Sequence, residues 1–512
     1  MMKMFAFAFA FLFVAPVWAH GPDHGGSSDG NIVGTVHFPI SCRPSTLEPF
    51  DRAVAMLHSF WYDEAEKSFR QITATDPDCA MAYWGVAMSL YHQLWATPPK
   101  TEELQKGWDA VRQARKLDIK TEREKAYVAA VEAFYRDPEH TDYGARKLAY
   151  TQAMEQVMVR YPEDSEAAVF YALALISTAS PKDKTYANQK KALALLQKVL
   201  KAEPNHPGVA HYIIHASDYP ELAGQGLEAA EGYARIAPAV PHALHMPSHI
   251  FIRLGYWQDA ARSNLAAYRA AKDYARKNAL RGAWDQQMHY MDYLVYAYLQ
   301  IGQMAKAKAI VQELRNIKKV QPENTTTAYA FAAIPARYAV ERGKWSEAAR
   351  LEVKPADFPW GEFGWCEAIT HFARGLGAAR SGDLGGASSS LRRLEALRDA
   401  DRAAGRDYTS DQIEIQRLAV AAWIAHGEKK DQDAEKLMRA SADLEDSIEK
   451  DNVTPGAIVP ARELLGELLL ELKRPQEAYQ AFESSLARAP NRRNGLHGAV
   501  VAAKSKATAR PN

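Results

Sequence analysis

Histidines recur at one spacing in three consecutive segments of the chain. In each segment a histidine lies eighteen residues before an alanine. The three pairs are His211 with Ala229, His242 with Ala260, and His289 with Ala307. Fifteen residues before the same alanines stand Ile214, His245 and Asp292, and eleven residues before them stand Asp218, His249 and Tyr296. The repetition of the spacing, rather than any single histidine, indicates a shared site.

These spacings place the side chains on one face of a helix. Residues three, four or seven positions apart lie on the same side of an α-helix, so His242, His245 and His249 form one stripe. Pro247 lies inside this stripe, and we expect the helix either to begin near it or to kink there. The neighbouring segments extend the stripe with His211, His215, Asp218, His289 and Asp292.

The residue types in this stripe are those of a transition-metal site. Imidazole nitrogens and carboxylate oxygens bind zinc, copper, nickel and iron, whereas calcium and magnesium prefer oxygen ligands alone. The sequence therefore predicts one divalent transition metal ion. The predicted ligands are His211, His215, His242, His245, His249, His289 and Asp292. Two other interpretations stay open: a metal-free clamp for an anion or a peptide, and structural histidines that hydrogen-bond inside the protein.

The sequence does not indicate a reaction. It contains no His-Glu-x-x-His pair, no Gly-x-Ser-x-Gly elbow and no phosphate-binding glycine loop. Catalytic residues are therefore unknown at this stage. A metal carrier and a metal-dependent enzyme need the same ligands, so the spacing does not distinguish them.

The elements that must position these residues are repeated helix pairs. Four segments share a small residue, a bulky residue four positions later and a proline eight positions after that. They are Ala65-Phe69-Pro77, Ala192-Leu196-Pro204, Ala229-Tyr233-Pro241 and Ala478-Phe482-Pro490. Four glycines lie five residues before an alanine, at predicted turns between helices; they are Gly255, Gly302, Gly343 and Gly382. No stretch shows sustained period-two alternation, so the pattern predicts an all-α fold.

These repeats resemble the tetratricopeptide repeat (TPR) family over residues 45–503. The resemblance implies a right-handed superhelical solenoid of antiparallel helix pairs, and a concave groove that holds a peptide, a partner protein or a small ligand. It also implies that the histidine stripe faces this groove. Arg337 lies eleven residues before Ala348, the offset of His249 and Tyr296, and we expect it either to be an anion contact in the groove or only to pair with Asp292. Residues 241–251, PHALHMPSHIF, are similar to a segment of bacterial exported TPR proteins, which implies no particular function.

The N-terminal residues indicate where in the cell the protein is located. Lys3 precedes an apolar run from Met4 to Val14, and a cleavage site follows Ala19. We expect a signal peptide over residues 1–19, a flexible or extended arm over residues 20–44, and a polar tail over residues 504–512. The protein is then periplasmic or secreted, with no membrane span in the mature chain.

The 63 basic and 62 acidic residues give a net charge of +1, so no nucleic-acid surface is predicted.

Cysteine placement predicts one disulfide. Cys42 precedes the first predicted helix and Cys79 follows the second, so both lie at the same end of an antiparallel pair. An exported protein matures in an oxidising compartment, which favours the bond. Cys366 has no evident partner.

Overall fold

The computed structural model describes residues 32–94 and 98–508. The predicted signal peptide and the first part of the arm lie outside the described residues, as does the end of the predicted tail. Within these ranges nearly all of the regular secondary structure is helical. The helices are α1 (Leu47–His58), α2 (Tyr62–Thr75), α3 (Ala80–Tyr91), α4 (Thr101–Lys116), α5 (Glu122–Tyr135), α6 (Tyr143–Arg160), α7 (Ser165–Ser177), α8 (Ala187–Ala202), α9 (Pro207–Ser217), α10 (Leu227–Ile236), α11 (Pro241–His245), α12 (Pro247–Arg253), α13 (Trp257–Lys277), α14 (Asp285–Gln300), α15 (Met304–Asn316), α16 (Thr325–Val340), α17 (Trp345–Ala348), α18 (Gly364–Arg380), α19 (Leu384–Ala403), α20 (Asp407–Gly427), α21 (Asp431–Ser447), α22 (Ala461–Glu471), α23 (Pro475–Arg488) and α24 (Arg493–Thr508).

The extended and 3₁₀ elements are short. Two two-residue strands, β1 (Ala283–Trp284) and β2 (Val320–Gln321), pair in parallel beside α14. Single 3₁₀ turns span Pro44–Thr46, Ala223–Gly226 and Trp360–Glu362. No helix within the described ranges has the length and apolar character to cross a bilayer.

Small and bulky residues interlock between neighbouring helices as the repeat pattern predicts. Phe69 of α2 is fully buried, and a Cβ atom added to Gly85 of α3 would lie only 2.3 Å from its ring. Phe482 of α23 packs in the same way against Gly466 of α22 and Gly498 of α24. The absence of a side chain at these positions lets a large ring fill the space between two helix backbones.

The turns within the helix pairs also follow the sequence pattern. The four turn glycines have φ values between +61° and +85°, a region that L-residues with a Cβ atom rarely adopt. They are Gly255, Gly302, Gly343 and Gly382. Each follows the first helix of a pair and lets the second helix return antiparallel. The structure confirms the predicted all-α, TPR-like solenoid of helix pairs.

In some helix pairs an ion pair joins the two helices. Glu367 of α18 accepts hydrogen bonds of 2.7 Å and 2.9 Å from Arg393 of α19, and His371 lies 3.3 Å from the same carboxylate. Burial acts to raise the pKa of Glu367, but the hydrogen bonds from His371 and Arg393 outweigh it and lower the pKa to about 2.

The C-terminal helices turn back onto the middle of the chain. The loop between α21 and α22, residues 448–460, is called the closing loop here. Its Lys450 donates a 2.6 Å hydrogen bond to Asp218, which lies just after α9. Farther along, the buried Arg492 side chain donates to the Tyr296 hydroxyl of α14 at 2.7 Å. These contacts enclose the surface that the sequence predicts to be an open concave groove.

The N-terminal part of the described chain packs along the helices. Residues 32–43 form neither helix nor strand; Phe38 is buried against Phe50 of α1 and Trp84 of α3, and the Thr35 amide donates to the Asn205 carbonyl between α8 and α9. Cys42 and Cys79 are joined by a disulfide with a Cα–Cα distance of 5.0 Å, and Cys366 is a buried free thiol. At the opposite end α24 continues to Thr508, so the predicted tail begins as helix.

Candidate metal centre

Four helices bring six histidines to one place inside the solenoid. His211 and His215 lie one turn apart on α9, and His289 lies on α14. The central stripe is divided, because α11 ends at His245 and α12 begins at Pro247. Proline lacks the N–H that would continue α11, so His242 and His245 stand on one short helix and His249 on the next. Of the two outcomes expected of Pro247, the structure shows the first, because a new helix begins at this residue.

The histidines form two groups rather than one continuous stripe. The first triad is His211, His215 and His242, and the second triad is His245, His249 and His289. Within each triad one ring nitrogen per residue lies within 4.8 Å of the others. Five of the six side chains are buried and that of His242 is partly buried. Each triad therefore has the number and type of donor atoms of a three-histidine metal site.

In the second triad the hydrogen bonds fix which nitrogen faces inward. His249 Nδ1 donates to the Asp218 carboxylate at 2.9 Å, because a carboxylate can only accept. His245 Nδ1 lies 2.6 Å from Asn264 Oδ1, and Asn264 Nδ2 donates to the Ala260 carbonyl at 2.7 Å, which sets the orientation of the amide. Both rings therefore carry their proton on Nδ1 and present a lone pair on Nε2.

These two lone pairs face each other. His245 Nε2 and His249 Nε2 are 3.0 Å apart, and neither has a proton to share in the tautomer that its outer partner selects. The Tyr293 hydroxyl, 3.3 Å from His249 Nε2, can donate to that atom but leaves His245 Nε2 without a partner. A contact of this kind is favourable only when a cation lies between the nitrogens.

A proton on His249 is a poor candidate for that cation. Asp218 would favour the imidazolium, but its carboxylate already accepts hydrogen bonds from Arg253 at 2.8 Å and from Lys450 at 2.6 Å. Burial lowers the pKa of His249, and the charges of Lys450 and Arg253 add to this effect against the opposing influence of Asp218. The ring is therefore neutral at neutral pH.

The other five histidines are neutral for the same reason. Burial lowers the pKa of each ring, and for His211, His215, His245 and His289 the neighbouring histidines lower it further. Burial and the neighbouring His249 lower the pKa of His242 to about 3. Metal ligation requires neutral imidazole, so the protein holds all six rings in the form that binds an ion.

The first triad has unsatisfied nitrogens. His211 Nδ1 donates to the backbone carbonyl of His58 at 2.7 Å, which leaves its Nε2 as an acceptor 3.1 Å from His215 Nε2. His215 Nδ1 and both ring nitrogens of His242 are buried and have no partner with hydrogen-bond geometry among the described residues. Buried polar atoms without partners are unusual in folded proteins and indicate an unseen ligand, ion or water.

A small cavity lies where the triads meet. It has a volume of about 30 Å³ and is lined by His215 and His242 from the first triad and by His249 and His289 from the second. Asn452 and Val453 of the closing loop complete its wall. A cavity of this size has room for a water-sized ligand.

A larger pocket of about 410 Å³ adjoins this cavity and shares Phe60, His242 and Gln286 with it. Carboxylate side chains outnumber lysine and arginine in its lining, within the part of the chain that the structure describes. The carboxylates are Asp63, Glu103, Asp285, Glu323, Glu362, Asp401 and Asp451, and the cations are Lys100 and Arg406. A surface of this composition attracts cations.

Two of the predicted site residues lie elsewhere. The Asp292 carboxylate belongs to neither triad and lies 3.5 Å from Arg337 Nε. Arg337 is fully buried, and its guanidinium donates to the backbone carbonyls of Ala457 at 2.6 Å and Gly456 at 3.3 Å in the closing loop. The prediction of Arg337 as a groove anion contact is wrong, because the closing loop occupies the space where an anion would bind.

A third histidine group is structural. Glu166 accepts hydrogen bonds from His58 Nε2 at 2.8 Å and from His206 Nε2 at 2.9 Å. His58 Nδ1 pairs with the Tyr212 hydroxyl, and His206 Nδ1 accepts from the Val209 amide at the start of α9. Every nitrogen in this group has a partner, so no ion is needed to satisfy it.

Sequence reasoning missed Asn264, the partner of His245. Asn264 stands four residues after Ala260, the position that carries a bulky apolar side chain in the clearest repeats, such as Phe69 and Tyr233. A polar residue at a fully buried core position of the repeat is a signal of function. Lys450 gave no such signal, because it reaches Asp218 from a loop 232 residues away.

Comparison with known proteins identifies no family. No family model matches the chain, and no curated protein matches it. Among solved structures, the chain is similar to Naa15/Naa10 bound to HypK-THB (13% identity, 85% of this chain and 62% of that chain, TM-score 0.25). It is also similar to the human IFIT1 dimer with m7Gppp-AAAA (12% identity, 84% and 90%, TM-score 0.39) and to yeast Tom70 (12% identity, 91% and 96%, TM-score 0.32). At these TM-scores the alignments carry no inference about function.

Proposed function

We propose that this protein is an exported helical-repeat protein that binds a divalent transition metal ion at the second triad, His245, His249 and His289. The observation that carries the proposal is the 3.0 Å separation of His245 Nε2 and His249 Nε2, with the Nδ1 atom of each ring already donating to an outer partner. Metal-bound histidines almost always donate their other N–H to a carboxylate, an amide or a backbone carbonyl.

The geometry fits a small ion. Two nitrogens bound to a tetrahedral zinc ion at about 2.0–2.1 Å lie about 3.3 Å apart. The separation of 3.0 Å in the structure needs only a few tenths of an ångström of ring movement to reach this value. Three imidazoles without a carboxylate favour zinc, copper, nickel or iron over calcium and magnesium.

The surroundings favour a catalytic ion over a purely structural one. Structural zinc sites use four protein ligands, whereas catalytic sites use three and leave the fourth position to water or substrate. The second triad supplies three ligands, and the cavity beside His249 and His289 has room for a water molecule at the fourth position. Such an ion lowers the pKa of its bound water and polarises a bound carbonyl or phosphoryl group.

A metal-free docking scaffold is the alternative for a TPR-like protein. The enclosed position of the histidines opposes this alternative at this site, since the closing loop covers them and the cavity is only about 30 Å³. Residues 1–19 support the export part of the proposal through their charged start, apolar run and cleavage site.

Cobalt binding tests the proposal. Protein without a histidine tag is treated with a chelator, desalted and titrated with Co²⁺, whose visible absorption reports nitrogen ligation. We expect wild type to bind Co²⁺, and the double variant His245→Gln, His249→Gln to lose the absorption of the second triad while keeping its helical circular dichroism.

The matched control is His206→Asn. His206 is buried on the same repeat as the first triad but lies outside both triads, and asparagine can still accept the hydrogen bond at the start of α9. Its Co²⁺ binding should equal that of wild type. Wild-type protein that binds no Co²⁺, or a double variant that binds it as wild type does, contradicts the proposal.

A further inference from the structure

We infer that the first triad, His211, His215 and His242, binds a second transition metal ion, so that the protein holds two ions side by side. The inference rests on the proposed function of the second triad. The two ligand sets share no residue, and each brings three imidazoles within 4.8 Å of one another.

The first triad repeats part of the arrangement of the second. His211 donates its Nδ1 proton to the His58 carbonyl, and its Nε2 lone pair points toward His215 Nε2 at 3.1 Å. His245 and His249 likewise have an outer partner on Nδ1 and a second imidazole against Nε2. The outer partner of His211 is a backbone carbonyl, one of the usual partners of a metal-bound histidine.

Hydrogen bonding without a metal does not satisfy this triad. A proton on His215 Nε2 could be donated to His211 Nε2, but His215 Nδ1 and both nitrogens of His242 would remain buried without partners. An ion bound through one nitrogen of each ring takes the facing Nε2 atoms of His211 and His215 and gives His242 a ligand bond. Both ring nitrogens of His242 are buried without a hydrogen bond of full geometry, and the Gln286 side chain is the polar group that interacts with this ring.

The two triads are close enough to act on one small ligand. The rings of His242 and His245 have centroids 5.8 Å apart, and those of His215 and His249 are 5.9 Å apart. The cavity of about 30 Å³ is lined by His215 and His242 from one triad and by His249 and His289 from the other, and it has room for a water-sized ligand. Enzymes with two adjacent ions use this arrangement to hold a hydroxide or a substrate oxygen between the metals.

The adjoining acidic pocket supplies an access route for cations. Its wall includes His242, the member of the first triad that is only partly buried, and carboxylates such as Asp63 and Asp285. An ion drawn in by these carboxylates meets His242 at the boundary with the inner cavity. The ligand class that this site takes is therefore a pair of divalent transition metal ions with a water-sized ligand between them.

The number of ions per chain tests the inference. Chelator-treated wild-type protein, titrated with Co²⁺ and desalted to remove loosely bound ions, should retain two ions per chain by elemental analysis. The double variant His211→Gln, His215→Gln should retain one, and the His206→Asn control should retain two.

The outcomes separate this inference from the proposed function. One ion per wild-type chain that survives His211→Gln, His215→Gln overturns the second ion and leaves the second triad as the site. One ion that is lost both in this variant and in His245→Gln, His249→Gln shows a single ion shared between the triads, which also overturns the inference. No bound ion overturns both proposals.

If the variants do not fold, a measurement on wild-type protein still shows whether two ions lie side by side. Two Cu²⁺ ions bound side by side interact magnetically, so the electron paramagnetic resonance spectrum of wild-type protein that carries two Cu²⁺ ions per chain should show spin–spin coupling. A spectrum of magnetically isolated Cu²⁺ ions would place the second ion away from the first and overturn the inference.

Discussion

The role of Asn264 provides a sharp test, because this residue acts on the metal only through His245. Its Oδ1 atom lies 2.6 Å from His245 Nδ1, and its side chain is fully buried. Leucine has the same number of side-chain atoms in nearly the same arrangement, so Asn264→Leu removes the acceptor without leaving a cavity. The His245 ring then has no partner that holds its proton on Nδ1.

Asn264→Leu should lower both the metal affinity and the folding stability, and the size of each loss can be worked out. Loss of an outer partner of a metal-bound histidine typically weakens metal affinity by about 10–100-fold, or about 1.4–2.7 kcal/mol. The buried N–H left without an acceptor costs about 1–3 kcal/mol of folding stability in the metal-free protein. The two losses are measured separately, the first by competition with a chromophoric chelator and the second by denaturant unfolding without metal.

Ser263→Ala is the matched control for Asn264→Leu. The Ser263 hydroxyl lies on the same turn of α13 and donates to the backbone carbonyls of Leu244 and, at 3.3 Å, of His245, so it contacts the backbone of this ligand and has no hydrogen bond to its ring. We expect Ser263→Ala to lose some stability and no metal affinity. If Asn264→Leu binds zinc as tightly as wild type and Ser263→Ala, the tautomer argument for the second triad is refuted.

Three further predictions concern the scaffold. Leu196→Ala, at a fully buried position, should lower the free energy of unfolding by about 2–5 kcal/mol in denaturant titrations, and no loss would contradict the repeat packing. Arg337→Met should cost about 3–5 kcal/mol because it leaves the Asp292 carboxylate buried without its cation, and adding Asp292→Leu should recover much of that loss; an additive double variant would show that the two do not interact. Glu367→Gln should lower the melting temperature at pH 7, because the lowered pKa of Glu367 stabilises the fold above about pH 4.5, and this stabilisation is lost as the pH falls toward 2. The melting curves of Glu367→Gln and wild type should therefore converge in acid, and a constant difference at every pH would contradict the role of its bond to Arg393.

The sequence is informative about the local architecture. The spacing of Ala65, Phe69 and Pro77 predicts how neighbouring helices pack, because it depends only on side-chain size within one repeat. The turn glycines are predictable for a similar reason, since a backbone with positive φ favours a residue without a Cβ atom. The recurrence of histidine at one repeat offset indicates that these rings lie near one another, as His211 and His242 do.

Two features of the site depend on contacts that a repeat pattern does not contain. The division into two triads separates His242 from His245 on the single short helix α11, and it depends on how α11 and α12 pack against α13 and the neighbouring helices. The enclosure of the site depends on the closing loop, which reaches Asp218 through Lys450 and Arg337 through Gly456 and Ala457. Such long-range contacts displace Arg337 from the role that its repeat offset implies.

The location of a bound ion in a crystal tests most directly whether the second triad binds a metal. Crystals of untagged, zinc-loaded protein, measured on both sides of the zinc absorption edge, give an anomalous difference map that shows zinc alone. The account predicts a peak at about 2.0–2.1 Å from His245 Nε2 and His249 Nε2, inside the solenoid. Zinc found only at exposed histidines such as His140, or no zinc peak at all, would contradict it.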